Sequence, residues 1–279
     1  NEPHMAAWWF PANDHPSDKA LMDVSITTAR GKQVVSNGER VSRVVHGGTA
    51  TTRWRSRQPM APYLAFFAAG PFRVERGTYR GLPWLIAVSQ AIPSRERRRA
   101  FALMRRTARL TAWLEGQLGP YPFDSTGGVT TSLSRGFALE NQSRPVYPVM
   151  GPSGRTIIVH ELAHQWFGDS VSVAAWDDIW LNEGAATFME VRHAEAIGLM
   201  DGRQWLESTY NGYYDDAGFW RLRLSDPGPR RLFDEAVYIR GAMLFQALRG
   251  RIGETDFRTL LRRWVADHQN VLLCGPTGV

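Results

Sequence analysis

The sequence predicts an α+β protein, with its β-structure gathered in roughly the first eighty residues. Two patterns carry that prediction: short β-branched runs broken by turn residues come first, and long helix-period segments follow from about residue 94. A third observation bounds it. Of 279 residues, 43% are hydrophobic and 22% charged, which is enough to bury the core of one large domain or two smaller ones.

Residues 24–28, 33–35, 41–45 and 49–54 are β-branched or alternating, and turn signals such as Ser36-Asn37-Gly38 separate them. Residues 63–68 and 84–88 read as further strands. The period then becomes helical. Residues 95–118 form one long amphipathic pattern that Gly119-Pro120 stops. Helices are also expected over 160–167, 182–196, 236–249 and 254–268. The change of period places a boundary near residue 80, dividing a β-rich unit (1–80) from a mainly helical one (81–279).

The net charge of +6 comes almost wholly from arginine, since lysine occurs only at Lys19 and Lys32. The densest cluster, from Arg95 to Arg109, alternates with Phe101, Leu103, Ala108 and Leu110. These arginines are therefore the solvated side of a helix, and no nucleic-acid partner is expected. Cys274 is the sole cysteine, which excludes an intramolecular disulfide. The longest apolar run, residues 59–72, holds three prolines and is too short to span a bilayer. No leader is visible, although the chain opens at Asn1. Cytoplasmic and secreted locations, and the oligomeric state, stay open.

Chemistry concentrates at His160-Glu161-Leu162-Ala163-His164. On a helix, positions i and i+4 share a face, so both imidazoles can reach one ion. Zinc held by neutral histidines needs a third ligand and an open position for water. Glu183 supplies the carboxylate, separated from His164 by eighteen residues and at the start of another helical pattern. Glu161 sits beside the open position, placed to take a proton from water. Glu190, seven residues after Glu183 on the same face, is the best candidate to orient a ligand histidine. Asp169, Asp177 and Asp178 are weaker ones.

This spacing, followed by Asn182-Glu183-Gly184, resembles the gluzincin metallopeptidases and specifically the M1 family of aminopeptidases. Gly136-Phe137-Ala138-Leu139-Glu140-Asn141 is similar to the family's Gly-x-Met-Glu-Asn motif, with Phe137 in place of a glycine and Leu139 in place of methionine. Glu2-Pro3, Trp9-Phe10-Pro11, Pro120-Tyr121-Pro122-Phe123 and Tyr238-Ile239-Arg240-Gly241 also have family counterparts, in the same order.

The resemblance implies a partial, saddle-like β-domain followed by a thermolysin-like, mainly helical peptidase domain, in a truncated chain of bacterial type. It implies one Zn2+ per chain on His160, His164 and Glu183, with Glu161 as base and Tyr238 as donor to the oxyanion. Glu140, Asn141, Ala138, Phe137 and Glu2 would bind a peptide with a free N-terminus, Glu140 and Glu2 by holding its ammonium. A thermolysin-like endopeptidase has no use for that acid, and an inactive binding scaffold has no use for Glu161.

Overall fold

The computed structural model describes residues 4–133, 136–269 and 272–273. Glu2, Cys274 and most of the C-terminal run lie outside the described residues. Strand β1 (Ala20–Ala29), β2 (Gln33–Ser36), β3 (Glu39–His46), β4 (Thr49–Met60), β5 (Phe67–Gly70), β6 (Phe72–Tyr79) and β7 (Leu82–Ser89) come first. Helices α1 (Ser94–Met104) and α2 (Thr107–Leu118) follow, then β8 (Thr126–Thr130) and β9 (Val146–Tyr147). The rest is α3 (Gly154–Ala163), β10 (Ser172–Val173), α4 (Trp180–Ala196), α5 (Gly202–Gly212), α6 (Ala217–Arg221), α7 (Glu235–Ile252), α8 (Glu254–His268) and β11 (Leu272–Leu273). The expected α+β order is the observed one.

β1, β4 and β3 form an antiparallel sheet in that order, and β2 pairs with β5. Alternation sets the faces: Ala50, Thr52, Trp54 and Ser56 of β4 point inward while the arginines between them point out. The β2–β3 turn needs Gly38. Its φ is 68°, and a Cβ there would lie 2.0 Å from the carbonyl oxygen of Arg55 on β4.

A four-stranded sheet runs β6-β7-β8-β9, antiparallel at its first pair and parallel thereafter. It crosses residue 80, because β6 and β7 form a hairpin turning at Arg80 (φ 51°) and Gly81 (φ 84°). The sequence reading missed β6, whose apolar Phe72 and Val74 are hidden among Arg73, Glu75, Arg76 and Gly77. Of the strand expected over 63–68, the first part is instead a 3-10 turn at Pro62–Leu64.

The long helix expected over 95–118 is two helices that break at Arg105-Arg106. Both pack on β8, but α1 also packs on β7 whereas α2 packs on α3 and α8, so the two helices serve partly different surfaces. The main core joins them: Ile86, Met104, Leu114, Ile158, Leu162, Trp166 and Phe188 are all buried in one cluster. Each such side chain contributes about 1.5–3 kcal/mol on burial.

Polar groups tie the β2–β3 turn to the four-stranded sheet and to the loops around it. The Arg144 guanidinium is 1% exposed and donates to the carbonyls of Leu85, Thr126, Ser36 and Gly38. Burial lowers its pKa to about 10, so it remains charged at neutral pH. Asn37 of the β2–β3 turn donates to the carbonyls of Leu64 and Gln142. Lys19 donates to those of Asp169 and Ser170, at 2.8 and 2.9 Å, just beyond α3.

Candidate metal centre

α3 ends at Ala163, and the chain continues in tight turns rather than as helix to residue 167. His164 caps it in helical geometry, its N–H bonding the His160 carbonyl at 3.3 Å. The i, i+4 relation therefore survives, and the two imidazole centroids lie 4.7 Å apart. α4 brings Glu183 against both, with Glu183 Oε2 at 3.2 Å from His160 Nε2 and 3.4 Å from His164 Nε2.

The other ring nitrogens are occupied. His160 Nδ1 meets Glu190 Oε1 at 2.6 Å, and His164 Nδ1 meets the Phe167 carbonyl at 3.0 Å. Those acceptors fix both Nδ1 atoms as donors and leave each Nε2 to offer a lone pair. Three donors within 4.8 Å of one another, two neutral nitrogens and a carboxylate, are a set that fits Zn2+.

Electrostatics supports the fit. Burial disfavours a charged His160, yet the carboxylates of Glu183 and Glu190 outweigh it and hold its pKa well above the ordinary value. For His164, burial is likewise overcome by Glu183 and Glu140, to about 9. Burial would raise Glu183, but the two imidazoles bring it down to about 2. The pocket thus favours positive charge at the point where the three donors meet, which a divalent cation supplies by displacing protons.

Glu161 is 7% exposed and shares the cavity with Glu140. Burial pushes its pKa up to about 8, against the pull of the two histidines. Carboxylate oxygens of Glu140 and Glu161 and a ring nitrogen of His164 also lie within 4.8 Å of one another. Phe137, Ala138, Phe233 and Tyr238 complete the walls of a cavity of about 410 Å³.

Two glycines bring Tyr238 there. α4 and α7 cross with Gly184 against Gly241, so that a Cβ on Gly184 would lie 2.6 Å from the Gly241 Cα. Tyr238 is three residues before Gly241, on the same helix face, and its ring stacks toward His160 at 6.1 Å between centroids. Arg240 turns elsewhere, donating to the carbonyls of Phe219 and Leu222.

The structure gathers His160, His164, Glu183, Glu161, Glu140, Ala138, Phe137 and Tyr238 in one cavity, with Glu190 behind it. Asn141 is different. Its amide donates to the Leu64 carbonyl at 2.8 Å, and it lines a neighbouring groove rather than the cavity that holds Glu140. It braces the segment, and no geometry places it toward the metal. Glu2 lies outside the described residues.

Sequence reasoning missed Gln165. This fully buried side chain donates to the Glu140 carbonyl at 2.7 Å and accepts from the Ser143 N–H at 2.6 Å. It ties the residue after the second histidine to the segment that carries Glu140. The only signal for it was a polar residue beside His164 in an apolar helix.

Comparison with known proteins agrees with this geometry. The Peptidase family M1 domain matches residues 152–273, and the Peptidase M1 N-terminal domain matches residues 1–64. Aminopeptidase N of Lactobacillus delbrueckii subsp. lactis is 28% identical over 93% of this chain and 33% of its own length. Mouse glutamyl aminopeptidase is 27% identical over 92% of this chain and 29% of its own. The chain therefore spans about a third of the length of the curated relatives it matches. A crystal structure of an M1 zinc metallopeptidase variant from Deinococcus radiodurans, bound to a Tyr-Ser-Ala substrate, superposes with a TM-score of 0.89 at 27% identity. That alignment covers 98% of this chain and 62% of the other. With both family domains matched in order and the whole fold shared, the chain belongs to peptidase family M1.

Proposed function

We propose that the protein is a zinc aminopeptidase, removing the first residue from peptides with a free N-terminus. The observation that carries this reading is Glu140, a buried carboxylate within 4.8 Å of the Glu161 and His164 donor atoms. An endopeptidase gains nothing from an acid at that point, whereas an α-ammonium is held there by a charge-assisted hydrogen bond. Fixing the amine sets the register, so only the first amide reaches the metal.

His160, His164 and Glu183 would hold the zinc, which when bound acidifies water and polarises the scissile carbonyl. Glu161 takes the water proton and later delivers it to the departing amine. Its pKa, raised by burial, keeps it able to do both near neutrality. The Tyr238 phenol donates to the oxygen on which negative charge develops. Glu190 and the Phe167 carbonyl keep both imidazoles in the ligating tautomer. Ala138 and Phe137 lie along the bound backbone, and Phe137, half exposed at the rim, narrows the entrance. Glu2 is proposed as a second ammonium contact.

The test compares alanyl- and leucyl-arylamides with their N-acetylated forms. Cleavage of the free amines alone, abolished by a chelator, is the expected result. Equal cleavage of both forms would refute the amine anchor and leave an endopeptidase.

A further inference from the structure

The carboxylate that orients His160 is reached from outside the catalytic cavity. Glu190 lines a second cavity of about 500 Å³, set between the first turn of α3 and the later turns of α4. Its side chain is 27% exposed. Thr156 lines the same cavity, one turn before His160 on α3. The space therefore reaches the carboxylate that holds His160 without including His160 itself.

Its polar lining suits a ligand that carries both charges. Arg106, at the break between α1 and α2, and Arg155, in the first turn of α3, line the cavity, and neither guanidinium meets a carboxylate among the described residues. His193 also lines it. That side chain is 8% exposed and has no hydrogen-bond partner among the described residues, only the edge-on ring of Trp113 at 5.0 Å. Burial and the nearby Arg155 lower its pKa, so it presents a neutral imidazole able to donate or accept. Glu190 supplies the opposite charge, and Leu199, Met200 and Trp205 form an apolar wall.

We propose that this cavity binds a free α-amino acid with an apolar side chain. Its carboxylate lies on Arg106 and Arg155, its ammonium on Glu190, and its side chain against Leu199, Met200 and Trp205. Such a zwitterion is what the aminopeptidase reaction releases, and the identity of the natural occupant, though not the site, rests on that reading. An ammonium on Glu190 draws charge from the hydrogen bond to His160 Nδ1 and loosens the metal. By linkage, the metal weakens amino-acid binding by the same factor.

Calorimetric titration of L-leucine into the metal-free chain tests the site. One binding site is expected, lost in the R106A/R155A double variant and retained in Glu140→Gln. N-acetylleucine and leucinamide, each lacking one charge, should bind far more weakly. In the zinc-loaded wild type, L-leucine should speed zinc loss to a chromogenic chelator about three- to tenfold, below the 10–100-fold cost of removing such a partner outright, and do nothing in the double variant. Leucine binding that survives both arginine substitutions, or that disappears in Glu140→Gln, would place the ligand elsewhere and overturn the proposal. Because binding is read without metal or turnover, failure of the aminopeptidase reading leaves this result legible, and active enzyme that binds no leucine sinks only this site.

Discussion

The metal donors and the segment that carries Glu140 face one cavity but are held by different forces. α3, α4 and α7 place His160, His164, Glu183 and Tyr238 by helix periodicity and one close crossing. Residues 136–144 have little regular structure beyond a bridge between Leu139 and Val146. Gln165, Leu64, Asn37 and Arg144 hold them, most of these reaching from far away in the chain. The helical side can be read locally. The other side exists only once the β2–β3 turn and the four-stranded sheet are in place.

That contrast can be broken in graded steps. The largest effect is expected at the chemistry itself: Glu161→Gln should lower kcat by about 10²–10⁴-fold, the usual worth of a general base. Zinc content, measured by metal analysis, should stay at wild-type level because Glu161 is not a ligand. Loss of metal alongside activity would show that it also supports the site.

On the irregular side, Arg144→Met takes the guanidinium donor from the carbonyls of Leu85, Thr126 and Ser36, while the Gly38 carbonyl keeps the Ser125 hydroxyl. Global stability should fall by about 3–5 kcal/mol, read by urea denaturation. If the loss is under ~1 kcal/mol, the guanidinium is not what fastens the β2–β3 turn to the four-stranded sheet.

Glu190→Gln should weaken zinc binding by about 10–100-fold while sparing the fold, as measured by chelator competition. It sharpens the comparison, because the helical side too depends on one partner that periodicity alone could not guarantee.

The smallest effect is expected on the surface of β1. Asp23 pairs with Arg53 and Arg55, whose hydrogen bonds hold its carboxyl well below the usual range. A depressed carboxylate stabilises the fold above its ordinary pKa and loses that contribution as pH falls through its folded value. Asp23→Asn should thus cost a small, salt-sensitive drop in Tm at neutral pH, and none in strong acid. A drop that persists in strong acid would mean Asp23 acts through packing.

The ligand set was legible because its spacing is a statement about one helix and the start of another. Glu190 was legible for the same reason, lying two turns beyond Glu183. Glu140 and Tyr238 were reached through family resemblance, since neither stands in a fixed local relation to the histidines. Asn141 sits beside Glu140 in sequence, but its amide is taken by the Leu64 carbonyl, a partner seventy-seven residues away that no local pattern announces. Gln165 and Arg144 could not be assigned at all. A buried polar residue reveals its task only when the backbone atoms it satisfies come from other parts of the chain. The break at Arg105-Arg106 was invisible for a related reason, since propensity favoured continuing and two partly different packing surfaces did not.

The glycine crossing of α4 and α7 has a consequence for how this machinery could be moved or redesigned. Glu183 precedes one glycine and Tyr238 lies one turn from the other, so a single point of backbone contact fixes a metal ligand relative to a proton donor. Sliding either helix by a residue would bring a Cβ into the crossing, which permits one alignment and rejects its neighbours. The pair therefore behaves as a keyed joint: transplanted together it carries its own alignment, and transplanted singly neither helix brings the half of the key that gives its side chain a position.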